Sequence, residues 1–575
     1  MSYIDIAQYR DEIHVWGRDL EGNLTKETHD VSEFTYCFIP DNKGNGGYKN
    51  IYGTPYRKVS FKNQFEMREF VLSRPNDDIC ESDISPAYKA IHELYHDTDA
   101  SAPMNVGLFD IEVDFDLKDG KGYPRPENPY GEINSIQIYD KKNNRYIMFI
   151  PDHLKDVIDL KDEYDGLPVK IYWTMNEREM LNTFASLDYI DLYSGWFSDG
   201  FDLPYIIKRA EKLFGEKAAK TMFCRDGFKL HSRKFLDGYG NESEKFTLVG
   251  RQHVDFMELY KKFNPGQKPS FSLDAICEYE NVGKKVQYED EGDLGTLYRE
   301  NPQKFYEYAL HDVRLLKDLD KKLGIMDLAI MMARMSLVKV ADVTGAVKPI
   351  EQNLIKFCRE NGNIVLPNKK ENEATKIPGA IVYDTVSGVN SWTISVDLTA
   401  LYPSTMMMLG LSNETAILQC TERDTDYWNV IAKSDKIVEV TDRTTGETDH
   451  LTAKDLHEFI VESGFVISGN GTIFNGASGL LARFVADKVT NRKHHQKIAK
   501  TTSDPEEAKI NDLIQKVFKI DANSVFGCTC EKSFRLFDPD IASSITQTAR
   551  VISRHQAVAA NKILEEFEQE VKNAV

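Results

Sequence analysis

Carboxylates recur in this 575-residue chain at positions where burial should exclude them. In VGLFDIEVDFD, Asp110 and Glu112 share one face of an expected strand, while Phe109, Ile111 and Val113 fill the other. Two buried like charges repel, which raises at least one pKa, and a divalent cation removes that penalty. The plain alternative is an acidic strand edge in water. In FYEYALHDVRLLKDL the apolar stripe runs through Phe305, Tyr308 and Ala309 to Leu316 and Leu319, so Asp312 falls on the face due for burial. Burying an unpaired charge is expensive, so Asp312 asks for a partner or a metal. Tyr308 lies one turn earlier on the same face and could orient a water. In SGWFSDGFDLPYIIKRAEKLFG, Asp202 precedes a helix with Pro204 in its first turn and Gly215 at its stop; an N-cap is the simpler role for that aspartate.

A second set lies further along. In SVDLTALYPSTMM a short apolar strand ends at Asp397, before a turn carrying Tyr402 and Pro403. If Asp397 holds a catalytic metal, phosphoryl transfer needs a second carboxylate facing it. YHDTDAS, with Asp97 and Asp99, and RDTDYW, with Asp424 and Asp426, have suitable composition but no flanking apolar hairpin, so both read as solvated turns. Positive charge gathers on two expected helices, about 479–501 and 506–523: Lys488, Arg492, Lys493, Lys497 and Lys500 on the first, Lys516 and Lys519 on the second. Asp504, Pro505 and Glu507 suit the N-cap, first-turn proline and capping-box acid of the second helix. On it Gln515, Lys519, Asn523 and Phe526 recur along one side. A solvated basic face is the plain alternative.

The elements that must position these residues are those of a multidomain protein. The length suits roughly three to five domains, and 41% hydrophobic with 28% charged residues describes a globular chain with sizeable cores. The start, MSYIDIAQYRDE, is not that of an export signal, and no apolar run approaches a membrane span. Eight scattered cysteines form neither a disulfide framework nor a zinc pattern, which points to a reducing cytoplasm. A net charge of −20 argues against coating nucleic acid but leaves room for a local basic groove. The first hundred residues are β-rich (YCFIP, YRKVSF); a strand at about 105–115 opens an α/β region closed by a helix ending near Leu323. A β-hairpin is expected at about 234–246, its tip near Gly238–Asn241. Residues 325–370 read as helical and then irregular, and IVYDTVSG and TISVD read as strands.

In chain order the first set spells D-x-E, F-D and Y-x3-D. This resembles the proofreading 3′–5′ exonuclease of family B DNA polymerases. The resemblance implies that Asp110, Glu112, Asp202 and Asp312 hold two Mg²⁺ ions (Mn²⁺ as a substitute), with Tyr308 helping to position the attacking water. Phe197 stands where that family often has asparagine. SVDLTALYPS is similar to the family's first polymerase motif, and KIDANSVFG to its K-x3-N-S-x-Y-G motif. By that likeness Asp397 and Leu398 bind catalytic metal, and backbone N–H groups from Leu398 through Ala400 and Leu401 to Tyr402 face the triphosphate. Tyr402 underlies the incoming sugar, Arg492, Lys519 and Asn523 grip the triphosphate, and Phe526 abuts the nascent base pair. Ala400, Gln496 and Phe526 replace the family's usual serine, lysine and tyrosine. IYGTPYRKVSF, ELYKKF, PSFSLD and LFGEKAAK extend the likeness to the polymerases of T-even-type bacteriophages.

The fold class implied is α/β and α+β multidomain. A β-rich N-terminal domain spans 1–104 with 325–370 returning to it, and an RNase H-like 3′–5′ exonuclease spans 105–324. The first part of a palm follows at 371–465, short helical fingers at 466–530 and a palm helix at 531–575. The family's D-T-D strand should follow the K-x3-N-S motif, where the sequence stops at Val575. The expectation is therefore the N-terminal part of a split polymerase whose C-terminal polypeptide supplies the second carboxylate and the thumb. Exposed palm edges would favour that association. Primer–template DNA, dNTPs and other replisome proteins are the remaining expected partners, with no membrane. A stand-alone exonuclease with a vestigial palm and a non-catalytic DNA- or nucleotide-binding scaffold are the competing readings.

Overall fold

The computed structural model describes all residues except 1, 20, 98–99, 101, 118–119, 237–241, 287–291, 374, 383–386, 390–396, 423–424 and 575. The chain forms two compact units, one of residues 1–35 and 85–345, the other of residues 36–84 and 346–575.

The first unit is built on a seven-stranded sheet. Its spatial order is Glu163–Tyr164, Leu167–Thr174, Arg145–Pro151, Ile133–Asp140, Val106–Val113, Leu192–Gly195 and Gln252–Asp255. The three strands from 106 to 151 run antiparallel in succession, whereas Leu192–Gly195 is parallel to both Val106–Val113 and Gln252–Asp255. The strand expected at about 105–115 and the helix expected to end near Leu323 are both present. Val106–Val113 is interior to the sheet, with both its edges paired, and its burial pattern shows both faces covered. On one face Phe109 meets Phe184, Tyr193 and His253, all buried. On the other packs the 22-residue helix Pro302–Leu323. This helix starts where Asn301 accepts the Lys304 N–H, with a proline in its first turn, and stops at Gly324 in the left-handed region (φ 67°). A three-stranded sheet, Ser2–Tyr9, Glu12–Arg18 and Leu24–Asp30, buries Ile6, Ile13 and Val15 against Ile91 and Tyr95 of helix Pro86–Tyr95. The expected hairpin is present as Leu236 opposite Glu242 in strands His231–Leu236 and Glu242–Thr247, and its tip lies outside the described residues.

In the second unit, strands Tyr36–Pro40, Tyr48–Asn50 and Pro55–Ser60 are joined by Ile364–Val365, which pairs in parallel with Lys49 and Asn50. The residues expected as one N-terminal domain, 1–104, thus divide between the units: the first 35 share a core with Leu337, while 36–84 are tied by pairing to residues that follow helix Val347–Glu360. A five-stranded antiparallel sheet spans residues 416–474 and buries Trp428, Val438, Leu456 and Ile473. Strands Val466–Ile467 and Thr472–Phe474 belong to it, so the basic helix pair begins only at Leu480. That pair, Leu480–Thr501 and Pro505–Thr529, carries the expected cap: Asp504 accepts the Glu506 N–H at 2.9 Å. Glu507 binds the Thr502 hydroxyl instead of closing a capping box. Helix Pro539–Ala574 ends the described chain. The expected strands IVYDTVSG and TISVD fall largely outside the described residues, and Ile381 and Val382 are not in a strand. Among the described residues no helix is long and apolar enough to cross a membrane.

Candidate active site

Asp110, Glu112 and Asp312 meet in the first unit. Each offers a carboxylate oxygen within 4.8 Å of the others. The strand supplies two of them from one face and the long helix supplies the third. Asp312 is only 3% exposed, as its place on the apolar stripe required. Gln137, opposite Asp110 in the neighbouring strand, donates from Nε2 to Asp110 Oδ2 at 2.9 Å and is itself held by the Ser135 hydroxyl.

Asp202 joins the cluster by a route the sequence did not indicate. Helix Asp202–Phe214 takes Phe201 as its N-cap, and no side chain caps it. The Asp202 carboxylate instead accepts the N–H of Ile111, between the two strand carboxylates, at 3.2 Å. The N-cap role is therefore wrong for this residue: its side chain turns from its own helix to the sheet.

The electrostatics record the crowding. Burial, then the Asp312 charge, pushes the Asp110 carboxyl up to about 7, against the opposing pull of Lys285 and Gln137. Burial and the Asp110 charge raise Glu112 and Asp202 well above the usual carboxylate range. Burial raises Asp312 as well, with Lys285 opposing. Lys285 donates from Nζ to Asp312 Oδ2 at 2.5 Å and to the Tyr308 hydroxyl at 3.0 Å. Burial pulls the Lys285 ammonium down, but Asp312, Asp110 and Glu112 together push it above the ordinary lysine value. Three carboxylates, Asp110, Glu112 and Asp312, thus face one cation, Lys285, and Asp312 Oδ1 is buried without a hydrogen-bond partner among the described residues. A cluster of hard oxygen donors with excess negative charge and an unused acceptor fits divalent metal.

Sequence reasoning missed Lys285 and Gln137. Lys285 lies in NVGKKV, which has no periodicity, and reaches Asp312 across 27 positions. The signal that could have found it is electrostatic: so many buried carboxylates demand a cation. Phe197, in place of the family's asparagine, has φ 60° and is half exposed, its ring lying over Gly200.

The residues of the second set lie in the other unit. Asp397 is exposed, and Leu398 is half-buried. Ala400 adopts the left-handed conformation (φ 55°, ψ 43°) as the N-cap of helix Leu401–Met408, a position that is strained for a residue with a Cβ. Tyr402 and Phe526 pack ring to ring, centroids 4.4 Å apart. On the helix pair Lys519 and Asn523 are exposed, and Arg492 and Phe526 half-buried. Lys488 departs from the expected basic face: it is buried and donates to Asn353 Oδ1 at 3.1 Å, and Asn353 donates in turn to Asp521 at 2.9 Å. Among the D-T-D stretches, Asp97 is exposed beside His96. Asp99 and Asp424 lie outside the described residues, as does the side chain of Asp426.

Comparison with known proteins matches two separate segments of the chain. Residues 58–276 match the model for the exonuclease domain of DNA polymerase family B, and residues 339–575 match that for DNA polymerase family B itself. The chain belongs to DNA polymerase family B. It is 26% identical over 453 residues to the DNA-directed DNA polymerase of Escherichia phage RB69, covering 72% of this chain and 47% of that one. Identity to the DNA-directed DNA polymerase of Enterobacteria phage T4 is 26% over 434 residues, 69% of this chain and 46% of that one. With the DNA polymerase delta catalytic subunit of Glycine max it is 26% over 472 residues, 79% and 39% of the two chains. The chain thus spans just under half the length of these phage relatives. The solved structure of the family B DNA polymerase from Pyrobaculum calidifontis shares the fold, with a TM-score of 0.67 at 19% identity, over 97% of this chain and 71% of that one. Lys285, Tyr308 and Asp312 fall between the two matched segments.

Proposed function

We propose that the first unit is a metal-dependent 3′–5′ exonuclease that trims DNA ends, in the service of a DNA-directed DNA polymerase whose synthetic site draws on the second unit. The observation that carries the nuclease reading is the convergence of Asp110, Glu112 and Asp312, with Asp202 bonded between the two strand carboxylates. Divalent ions, Mg²⁺ by preference, would be held by these four carboxylates and would supply charge stabilisation at the scissile phosphodiester and a more acidic water. The protein's own residues do the rest. Gln137 fixes the rotamer of Asp110. The Tyr308 hydroxyl, which accepts from Lys285, would align a water, and the Lys285 ammonium would balance charge beside the phosphate. Burial excludes bulk water from the carboxylates and strengthens every interaction among them.

The polymerase reading rests on the family match over residues 339–575 and on the exposure of Lys519 and Asn523 along one helix. In it Asp397 and Leu398 bind metal, Arg492, Lys519 and Asn523 hold the triphosphate, and Tyr402 and Phe526 border the sugar and base. The backbone from Leu398 through Ala400 and Leu401 to Tyr402 offers N–H groups to the phosphates. The second carboxylate and the thumb would come from further polymerase sequence, and a separate C-terminal polypeptide is one form this could take. A primer–template assay with Mg²⁺, with and without dNTPs, tests both readings. Shortening that Asp110→Ala abolishes supports the nuclease. Extension only after adding a polypeptide with the D-T-D motif supports the divided polymerase, and extension by this chain alone refutes that division.

A further inference from the structure

The turn that delivers Asp202 is held by a buried polar set that the nuclease chemistry does not use. Ser198 Oγ accepts the Gly195 N–H at 3.1 Å, donates to the Gly195 carbonyl at 3.0 Å and lies 2.9 Å from His253 Nε2. The other ring nitrogen, Nδ1, stands 3.3 Å from Asp199 Oδ1. Asp199 also takes Lys245 Nζ on Oδ2 at 2.5 Å, and its backbone N–H donates to Asp255 Oδ2 at 2.9 Å. Serine, histidine and aspartate in this order suggest a nucleophile, base and acid. Ser198 is wholly buried, however, and saturated by Gly195 and His253, so no substrate reaches it. The set is a brace.

What it braces is specific. Asp199 is three residues before Asp202, and the N–H of Leu203 donates to the Ser198 carbonyl at 3.1 Å, which closes the turn onto the first residues of the Asp202 helix. His253 belongs to the strand Gln252–Asp255, so the turn is pinned to the sheet. Lys245 belongs to the second hairpin strand, where its neighbour Glu244 pairs with Lys208 of the Asp202 helix at 3.3 Å. The hairpin and the Asp202 segment are therefore joined by two ion pairs of opposite polarity. Burial raises Asp199, but His253 and Lys245 beside it hold its carboxyl down at about 2, so Asp199 keeps its charge throughout the neutral range.

We propose that Asp199, clamped between His253 and Lys245, is a positioning residue that sets the Asp202 carboxylate for metal, which makes the hairpin strand part of the support of the nuclease centre. The inference rests on the nuclease reading for the role of Asp202. Groups that orient a metal ligand typically change metal affinity by about 10–100-fold when removed.

The test is a Mn²⁺ titration of the full chain by electron paramagnetic resonance, with single-strand hydrolysis measured in parallel, on the wild type, Asp199→Asn and Lys245→Ala. Asp199→Asn should weaken Mn²⁺ binding by about tenfold and shift the Mn²⁺ midpoint of hydrolysis by the same factor. Saturating Mn²⁺ should restore the rate to within about twofold, a rescue that general structural damage would not allow. Lys245→Ala should move both midpoints the same way by about threefold. Mn²⁺ binding unchanged in both variants overturns the proposal, as does a rate defect that saturating metal leaves in place. If Asp199→Asn fails to fold, Lys245→Ala decides. If the wild type binds Mn²⁺ but hydrolyses nothing, the nuclease reading falls while the binding titration still decides the brace.

Discussion

Lys285 and Asp312 form an ion pair, Nζ to Oδ2 at 2.5 Å, inside a group of carboxylates that has no other lysine or arginine bonded to it among the described residues. The lysine shares its ammonium with the Tyr308 hydroxyl, so one side chain orients both the acid and the phenol of the long helix. Removing it leaves Asp312 buried beside the Asp110 and Glu112 carboxyls with no cation bonded to it among the described residues. Lys285→Ala should therefore destabilise the metal-free protein by on the order of 2 kcal/mol. Added Mn²⁺ should recover much of that loss, because it replaces the missing charge. Thermal melts of both proteins with EDTA and with Mn²⁺ check this, and an equal loss in both conditions would contradict it.

The raised carboxylates make the metal-free protein sensitive to pH. Asp110 titrates near 7 in the fold against an ordinary 3.8, so between these values the folded state holds a proton that the unfolded state has released. A group raised in this way stabilises fully below its unfolded pKa and loses that stabilisation as pH rises through the folded one. Glu112 and Asp202, shifted in the same direction, act with the same sign. In EDTA the melting temperature should fall as pH rises from 4 towards 8, and Asp110→Asn should flatten part of that slope. Mn²⁺ affinity should rise over the same interval as the proton leaves. A melting temperature that rises with pH in wild type but not in Asp110→Asn would contradict the assignment.

The second unit allows a binding prediction. Arg492 and Lys519, read as the triphosphate grip, would each contribute a charge-assisted bond, worth about 1.5–3 kcal/mol. Arg492→Ala and Lys519→Ala should each weaken dNTP binding by about tenfold or more, measured by calorimetry on the full chain. Lys488→Ala should act differently, lowering stability through the lost Asn353 contact instead of acting on the triphosphate directly. Nucleotide affinity unchanged in both Arg492→Ala and Lys519→Ala would remove these residues from the site.

The sequence made the frame of the acidic cluster legible because local periodicity and burial agree there. Alternation placed Asp110 and Glu112 on one strand face, and the apolar stripe placed Asp312 inward. Asp202 was harder: its neighbourhood satisfies every local rule for a cap, and only the Ile111 N–H, 91 positions away, shows that its carboxylate is engaged elsewhere. Lys285 was not legible at all, since a cation that serves a distant cluster leaves no local pattern. The same holds for Lys488, which sits in a basic run yet is buried by a partner from helix Val347–Glu360. The division of residues 1–104 escaped because it depends on which strand Ile364–Val365 pairs with, a choice that strand composition does not encode.

The most direct measurement is hydrolysis of a 5′-labelled single-stranded oligonucleotide by this chain in Mg²⁺, run beside Asp110→Asn. The account predicts a ladder of products shortened stepwise from the 3′ end, abolished by EDTA and reduced by about a hundredfold or more in the variant. No shortening by the wild type, or equal shortening by the variant, would contradict the assignment of Asp110, Glu112, Asp202 and Asp312 to a nuclease centre.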